Sequence, residues 1–303
     1  MARVKSMKKK QKITNTFIYI FLAILCFIWV LPIIWIVYVS FNKETSSAAI
    51  GQSSIAPAGM SFAEQMNFYF GHLTFKHYGN LMQFTGPDPY LRWFLNTFIV
   101  ALVCMFVNTF FIMAVAYTMS RLKFKGRKNL MSINLILGMF PGFMSMIAIY
   151  NILKLVNLTG NLVGLTLCYT MTSGMGFYIA KGFFDTVPKS LDEAARIDGA
   201  SNAKIFYQII LPLSKPIIVY TLVQSFMGPW MDYIFCKIIL GDHSDQYTVA
   251  LGMFRWLNSK DKAPYKFVDF FAGSVLVSIP IMSVFLATQK YYISGVTGGA
   301  VKG

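Results

Sequence analysis

The feature that most constrains this chain is a series of six apolar stretches, each near the ~20 residues a helix needs to cross a hydrocarbon core ~30 Å thick. They run from about Phe17 to Phe41, Trp93 to Ser120, Leu130 to Leu153, Leu162 to Ile179, Ile217 to Leu240 and Phe270 to Tyr292. Backbone groups inside lipid must bond within the chain, so the expected fold is all-α and polytopic, with six transmembrane helices. Composition agrees, since 56% of the 303 residues are hydrophobic and 13% charged, too apolar a balance for a soluble domain. The first stretch follows a basic run (Arg3, Lys5, Lys8, Lys9, Lys10, Lys12), as the core of a signal peptide would. It is longer than the roughly 7–15 apolar residues of such a core, and so reads as a retained span.

Charge gives the orientation, because loops rich in Lys and Arg stay cytoplasmic. Six spans put both termini on one side. That side then carries the N-terminal tail, the loop Arg121 to Lys128, the loop Lys181 to Lys215 and the end from Lys290, with 18 of the 27 Lys and Arg but 4 of the 12 Asp and Glu. The formal net charge of +15 is thus a signature of topology in a multi-pass membrane protein in contact with lipid. A nucleic-acid surface would need a basic groove with aromatic stacking partners, and here the basic residues are scattered through short loops, so no nucleic-acid partner is expected. Cys26, Cys104, Cys168 and Cys236 fall within spans without C-x-x-C spacing and read as small packing residues. His72 and His77 lie five apart in an external loop with no carboxylate at ligand spacing, which argues against a metal site.

The chain therefore divides into a basic tail (1–16), a first helix (17–41), an extracytoplasmic loop (42–92), a five-helix core (93–292) holding the cytoplasmic loop 181–215, and a C-terminal tail (293–303). Pro141-Gly142 and Gly228-Pro229 interrupt spans of the core, as packing kinks or as parts of a pathway. Asp232, three residues after Pro229, is the one carboxylate placed well inside a span. A charge at that depth costs about 3 kcal/mol, so it faces the bundle interior or a cavity, unless the span ends earlier and leaves it interfacial. Pro141, Pro229 and Asp232 are the candidate pathway residues.

The loop 181–215 is the most informative segment. Ser190-Leu191-Asp192-Glu193 has the form of a capping box, with Ser190 as the cap and Glu193 reaching back to it. Gly199 supplies the left-handed stop of a helix only about two turns long, and Ser201 is placed to cap a second helix that runs to Pro212. So short a helix is marginal in water and must be held by packing. Ala194, Ala195 and Ile197 offer it a small apolar patch, for a neighbouring loop or for a separate subunit.

Glu193-Ala194-Ala195, three residues, Gly199, nine residues, then Ile209, Leu211 and Pro212 fill every fixed position of the EAA loop, and the chain resembles the permeases of ATP-binding cassette (ABC) importers. Ala116-Tyr117, Ser120-Arg121-Leu122, Phe124-Lys125-Gly126, Phe140-Pro141 and Asp198-Gly199-Ala200 narrow the resemblance to carbohydrate permeases of the maltose type. The end, Gly295 to Gly303, is similar to that of the smaller permease subunit in maltose/maltodextrin importers. The resemblance implies a type I importer permease fold. Glu193, Ala194, Ala195, Ile197, Asp198, Gly199, Ile209, Leu211 and Pro212 would dock an ATPase subunit. Gly298, Gly299, Val301, Lys302 and Gly303 would reach between two ATPase subunits. Leu257, Asn258, Ser259 and Lys260, beside Trp256 in an external loop, would probe an extracytoplasmic sugar-binding protein. The implied partners also include a larger related permease subunit. The chain has no G-x-x-x-x-G-K-[ST] loop and no evident set of nucleophile, base and orienter. It is expected to be a transport subunit without catalysis or cofactor of its own, ATP and Mg being bound by partners.

Overall fold

The structure, a computed structural model, describes residues 2–43, 59–84, 86, 88–139, 142–171, 175–258 and 263–300. These are almost wholly helical, in the order α1 (Ala2–Ser40), α2 (Phe62–Gly71), α3 (Lys76–Leu81), α4 (Tyr90–Arg121), α5 (Arg127–Gly138), α6 (Gly142–Leu155), α7 (Leu162–Met171) and α8 (Gly176–Thr186). Then follow α9 (Lys189–Ile197), α10 (Asn202–Ile205), a π-helical turn (Phe206–Ile210), α11 (Leu211–Leu213), α12 (Lys215–Met231), α13 (Ile234–Leu240), α14 (Val249–Asn258) and α15 (Ala263–Ala300).

Among the described helices, four segments are long and apolar enough to cross a membrane: Gln11–Ser40, Tyr90–Arg121, Lys266–Tyr291 and, taking α7 and α8 together, Leu162–Thr186. The pair Asn202–Leu213 and Lys215–Met231, bent by 86°, makes a fifth if taken as one span. The third expected stretch is divided between α5 and α6 around Pro141, which itself lies outside the described residues. The expected span Ile217 to Leu240 is likewise two helices, because α12 stops at Met231 just after Pro229 and α13 begins at Ile234.

Chain contacts define two compact units, each with its own packing. The first comprises Met1–Leu81 and Trp256–Leu276. Here α1 presents exposed apolar side chains such as Trp29 and Phe17, as a lipid-facing helix does. Its end is tied down by a small core of Val39 and Val268, by the edge-on pair Trp35–Phe271, and by an isolated bridge between Asn42 and Leu73. The stretch expected as a partly irregular loop contains α2 and α3. Ser61 and Glu64 form a reciprocal capping box on α2, and His77 of α3 meets Asp269 at 2.8 Å with both side chains buried. Lys266 stands 3.1 Å from the same carboxylate.

The second unit, Met82–Arg255 and Val277–Gly303, is built on α4. Tyr90, Trp93, Thr97, Ala101, Cys104, Ile112, Ala116 and Ser120 are buried at three- or four-residue spacing except between Cys104 and Ile112, where Asn108 is half-buried, and so mark one face of α4. That face packs against α12, α8 and α7. At its start, Trp93 Nε1 donates to Ser244 O at 2.9 Å, and Thr97 Oγ1 accepts from Val249 N at 2.8 Å. At its other end lies a core of Met113, Tyr117, Phe177, Phe184, Ile205 and Phe206, directly under the loop 181–215.

Candidate functional site

The short helix α9 is where the sequence signals converge, and its termini show how nine residues hold a helix. Its start differs from the expected capping box. Pro188 occupies the cap with φ −57 and ψ 129, and its carbonyl accepts from Leu191 N at 3.3 Å, so the helix begins one turn before Glu193 and Ser190 falls inside it. Proline explains the shift: it biases Val187 to an extended conformation, which ends α8, and its fixed φ suits the start of the next helix. The stop is as expected. Gly199 has φ +77, Gly199 N donates to Arg196 O at 3.1 Å and Ala200 N to Ala195 O at 2.8 Å, the two bonds of a Schellman motif. Ser201 then caps α10 by accepting from Lys204 N.

The motif residues separate into two faces. Ala195, Ile209 and Leu211 are half-buried and pack on the core beneath. Glu193, Ala194, Asp198 and Pro212 are exposed, and Ile197, at the tip of the helix, is 86% exposed. Ile197 takes no part in that core.

What fixes α9 to the bundle is the last turn of α4, which the sequence reading quoted only as part of a resemblance. Tyr117 Oη donates to Asn202 O at 3.0 Å, and Ser120 Oγ donates to Asp185 Oδ1 at 2.6 Å. Arg121 Nη2 donates to Phe184 O and Val187 O, each at 2.7 Å, at the negative end of α8, where Phe184 O also accepts from Val187 N. Arg121 Nε lies 3.5 Å from Asp192 Oδ2 in the first turn of α9, with the two side chains 1% and 9% exposed. Removing one partner from so buried a pair costs roughly 3–5 kcal/mol. The signal that pointed to these residues was a cation at the end of an apolar stretch, 63 to 71 positions from its partners in sequence, so only the folded chain reveals the contact.

The remaining candidates are dispersed. Asp232 lies in the break between α12 and α13, half-buried, with Oδ1 accepting from Phe235 N at 3.0 Å and Oδ2 accepting from Tyr169 Oη at 2.7 Å. Both oxygens are thus engaged in holding the break. Pro229 is buried in the last turn of α12. Leu257 and Asn258 end α14, so the expected external loop starts as helix, with Trp256 buried and Leu257 exposed. Gly298 and Gly299 continue α15. Pro141, Ser259, Lys260, Val301, Lys302 and Gly303 lie outside the described residues.

Residues 109–292, from the middle of α4 through the whole of loop 181–215, match the family described as binding-protein-dependent transport system inner membrane component. The chain belongs to this family. Over 298 residues it is 35% identical to the galactooligosaccharides transport system permease protein GanQ of Bacillus subtilis, covering 98% of this chain and 99% of the relative. Over 287 residues it is 33% identical to the maltodextrin transport system permease protein MdxG of the same organism, covering 94% and 95%. Among solved structures it is similar to a chain of a bacterial ABC transporter involved in the import of alginate, with TM-score 0.71 and 19% identity over 93% of this chain and 97% of that one. That likeness shows the fold, and the family match and the relatives make the chain a multi-pass inner membrane component of an ABC transporter.

Proposed function

We propose that this chain is a permease subunit of a binding-protein-dependent ABC importer for uncharged oligosaccharides of the maltose/maltodextrin type. It pairs with a larger related permease and two ATPase subunits, which bind ATP and Mg. The observation that carries this reading is the exposed Ile197 on a helix stopped by Gly199 and braced from behind by Arg121, a rigid knob of the size a cleft on another subunit accepts. ATP-driven closure of the ATPases moves α9, and the core alternates between inward- and outward-facing states. In this arrangement six segments cross the membrane, α5 with α6 serving as the third and α12 with α13 as the fifth, and both termini are cytoplasmic. Leu257 to Lys260 contact the external binding protein, and Gly298 to Gly303 reach the ATPases.

The cargo class draws on a second observation. A cavity of about 300 Å³ between α4, α8 and α12 is lined by Asn108, Tyr220, Thr221, Gln224 and Ser225 together with apolar groups, and by no charged side chain. Gln224 is exposed at mid-length in α12, where an amide facing lipid would be costly, so it faces a polar path or a neighbouring subunit. Amides and hydroxyls suit sugar hydroxyls, and the lack of cations disfavours an anion such as sn-glycerol-3-phosphate. The names of the relatives favour maltodextrins and galactooligosaccharides equally as classes.

The test is uptake into proteoliposomes holding this chain, its permease partner, the ATPase and the binding protein. ATP-dependent accumulation of maltodextrin, unaffected by ionophores, is expected. Accumulation of galactooligosaccharide alone would move the substrate to that class, and uptake driven by an ion gradient without ATP would overturn the importer reading in favour of a secondary transporter.

A further inference from the structure

We infer that Arg121 and Asp192 form the joint through which displacement of α9 reaches the spanning helices, a positioning role that rests on the reading of α9 as the ATPase-docking element. Three observations lead here. First, one guanidinium touches three helices: it belongs to the last residue of α4, caps the carbonyls of Phe184 and Val187 at the end of α8, and faces Asp192 in the first turn of α9. It adds a polar tie between α9 and α8 to the extended link at Val187 and Pro188 and the packing of Ala195 on the shared core. Second, the pair is buried on the protein's own interior side, opposite the exposed Ile197, so a push on the knob is received at this contact. Third, the pairing is incomplete. Arg121 Nη1 and Asp192 Oδ1 are both buried without a hydrogen-bond partner, and the one ionic contact, at 3.5 Å, is long for a charge-assisted hydrogen bond.

A buried ion pair stabilises a fold less well than apolar packing of the same volume, and an unsatisfied one is poorer still. Nη2 is taken up by the two carbonyls, so Nε alone meets the carboxylate, and that contact is free to tighten or loosen while the cap on α8 holds. A small approach of α9 toward α4 shortens it, and the joint passes the displacement on to α4 and α8.

Asp192→Asn and Asp192→Glu test this in the assembled importer, with Arg121→Lys as a second probe that keeps the charge but loses the fork. The readouts are sugar transported per ATP hydrolysed and the amount of complex recovered from membranes. Asp192→Asn and Arg121→Lys are expected to lower the transport-to-hydrolysis ratio roughly tenfold, within the range for mutations along a packed coupling network, with the complex recovered intact. Asp192→Glu, which reaches further, is expected to retain coupling. A wild-type ratio in Asp192→Asn overturns the proposal. So does loss of the complex in both Asp192→Asn and Arg121→Lys, since that assigns the pair to folding. Ile197→Ser in the same assay separates the two readings. If it too leaves the ratio and assembly unchanged, it is the docking role of α9 that fails.

Discussion

At the scale of single residues, the account turns on the contrast between Ile197, 86% exposed, and Gly199, whose φ of +77 sets the direction in which the chain leaves the helix. Burying an isoleucine at an interface yields about 1.5–3 kcal/mol, so Ile197→Ser is expected to weaken association with the ATPase by roughly tenfold to a hundredfold in a co-purification titration. A Cβ on Gly199 would meet nothing within 4 Å, so the cost of substitution there is purely conformational. Gly199→Val is expected to destabilise the stop by about 1–3 kcal/mol, while Gly199→Asn, which tolerates the left-handed region, keeps most of the transport activity. The glycine was legible because a short helix followed by Gly and a capping Ser permits few other readings. Ser190 was not, because Pro188, two residues before it, takes the first helical bond on its own carbonyl and leaves Ser190 inside the helix. Arg121 and Asp192 show the general limit, since local patterns mark a charge at a span end but not the partner that burial gives it.

At the scale of elements, length and hydropathy located the apolar stretches, and Pro141-Gly142 and Gly228-Pro229 marked where two of them are interrupted. The long runs of α1, α4 and α15 were legible from length alone, whereas the third and fifth stretches each divide near a proline. At the second of these breaks Asp232 bonds Tyr169 and the start of α13. Asp232→Ala is expected to lower transport; Tyr169→Phe doing the same in uptake assays assigns the effect to the break, and a normal Tyr169→Phe variant assigns it to the carboxylate's place in the pathway. A second element contact depends on the lack of a side chain. A Cβ on Gly252 of α14 would lie 2.0 Å from Trp93 Cε3 of α4, so the two helices meet only because the position is glycine. Gly252→Ala is expected to cost about 1–3 kcal/mol by overpacking, seen as a lower melting temperature of the detergent-solubilised protein. Close approaches of this kind, between positions more than 150 residues apart, leave no trace in a sequence window.

At the scale of the whole molecule, the asymmetry of Lys and Arg between alternate loops leads to an expected orientation with α9 on the cytoplasmic side. In a cysteine-free background, Ser61→Cys is expected to react with an impermeant maleimide added outside the cell, and Ser201→Cys only after the membrane is opened. On the proposed reading, the same geometry explains why so apolar a protein keeps a charged, braced loop between spans: the energy for transport arrives from outside the chain, and the projecting α9 receives it. The most direct measurement is photo-cross-linking from position 197. With a photoreactive residue replacing Ile197 and the ATPase co-expressed in membranes, the account predicts a product linking this chain to the ATPase subunit. Cross-links confined to this chain or to lipid, in membranes where the complex is assembled, would contradict it.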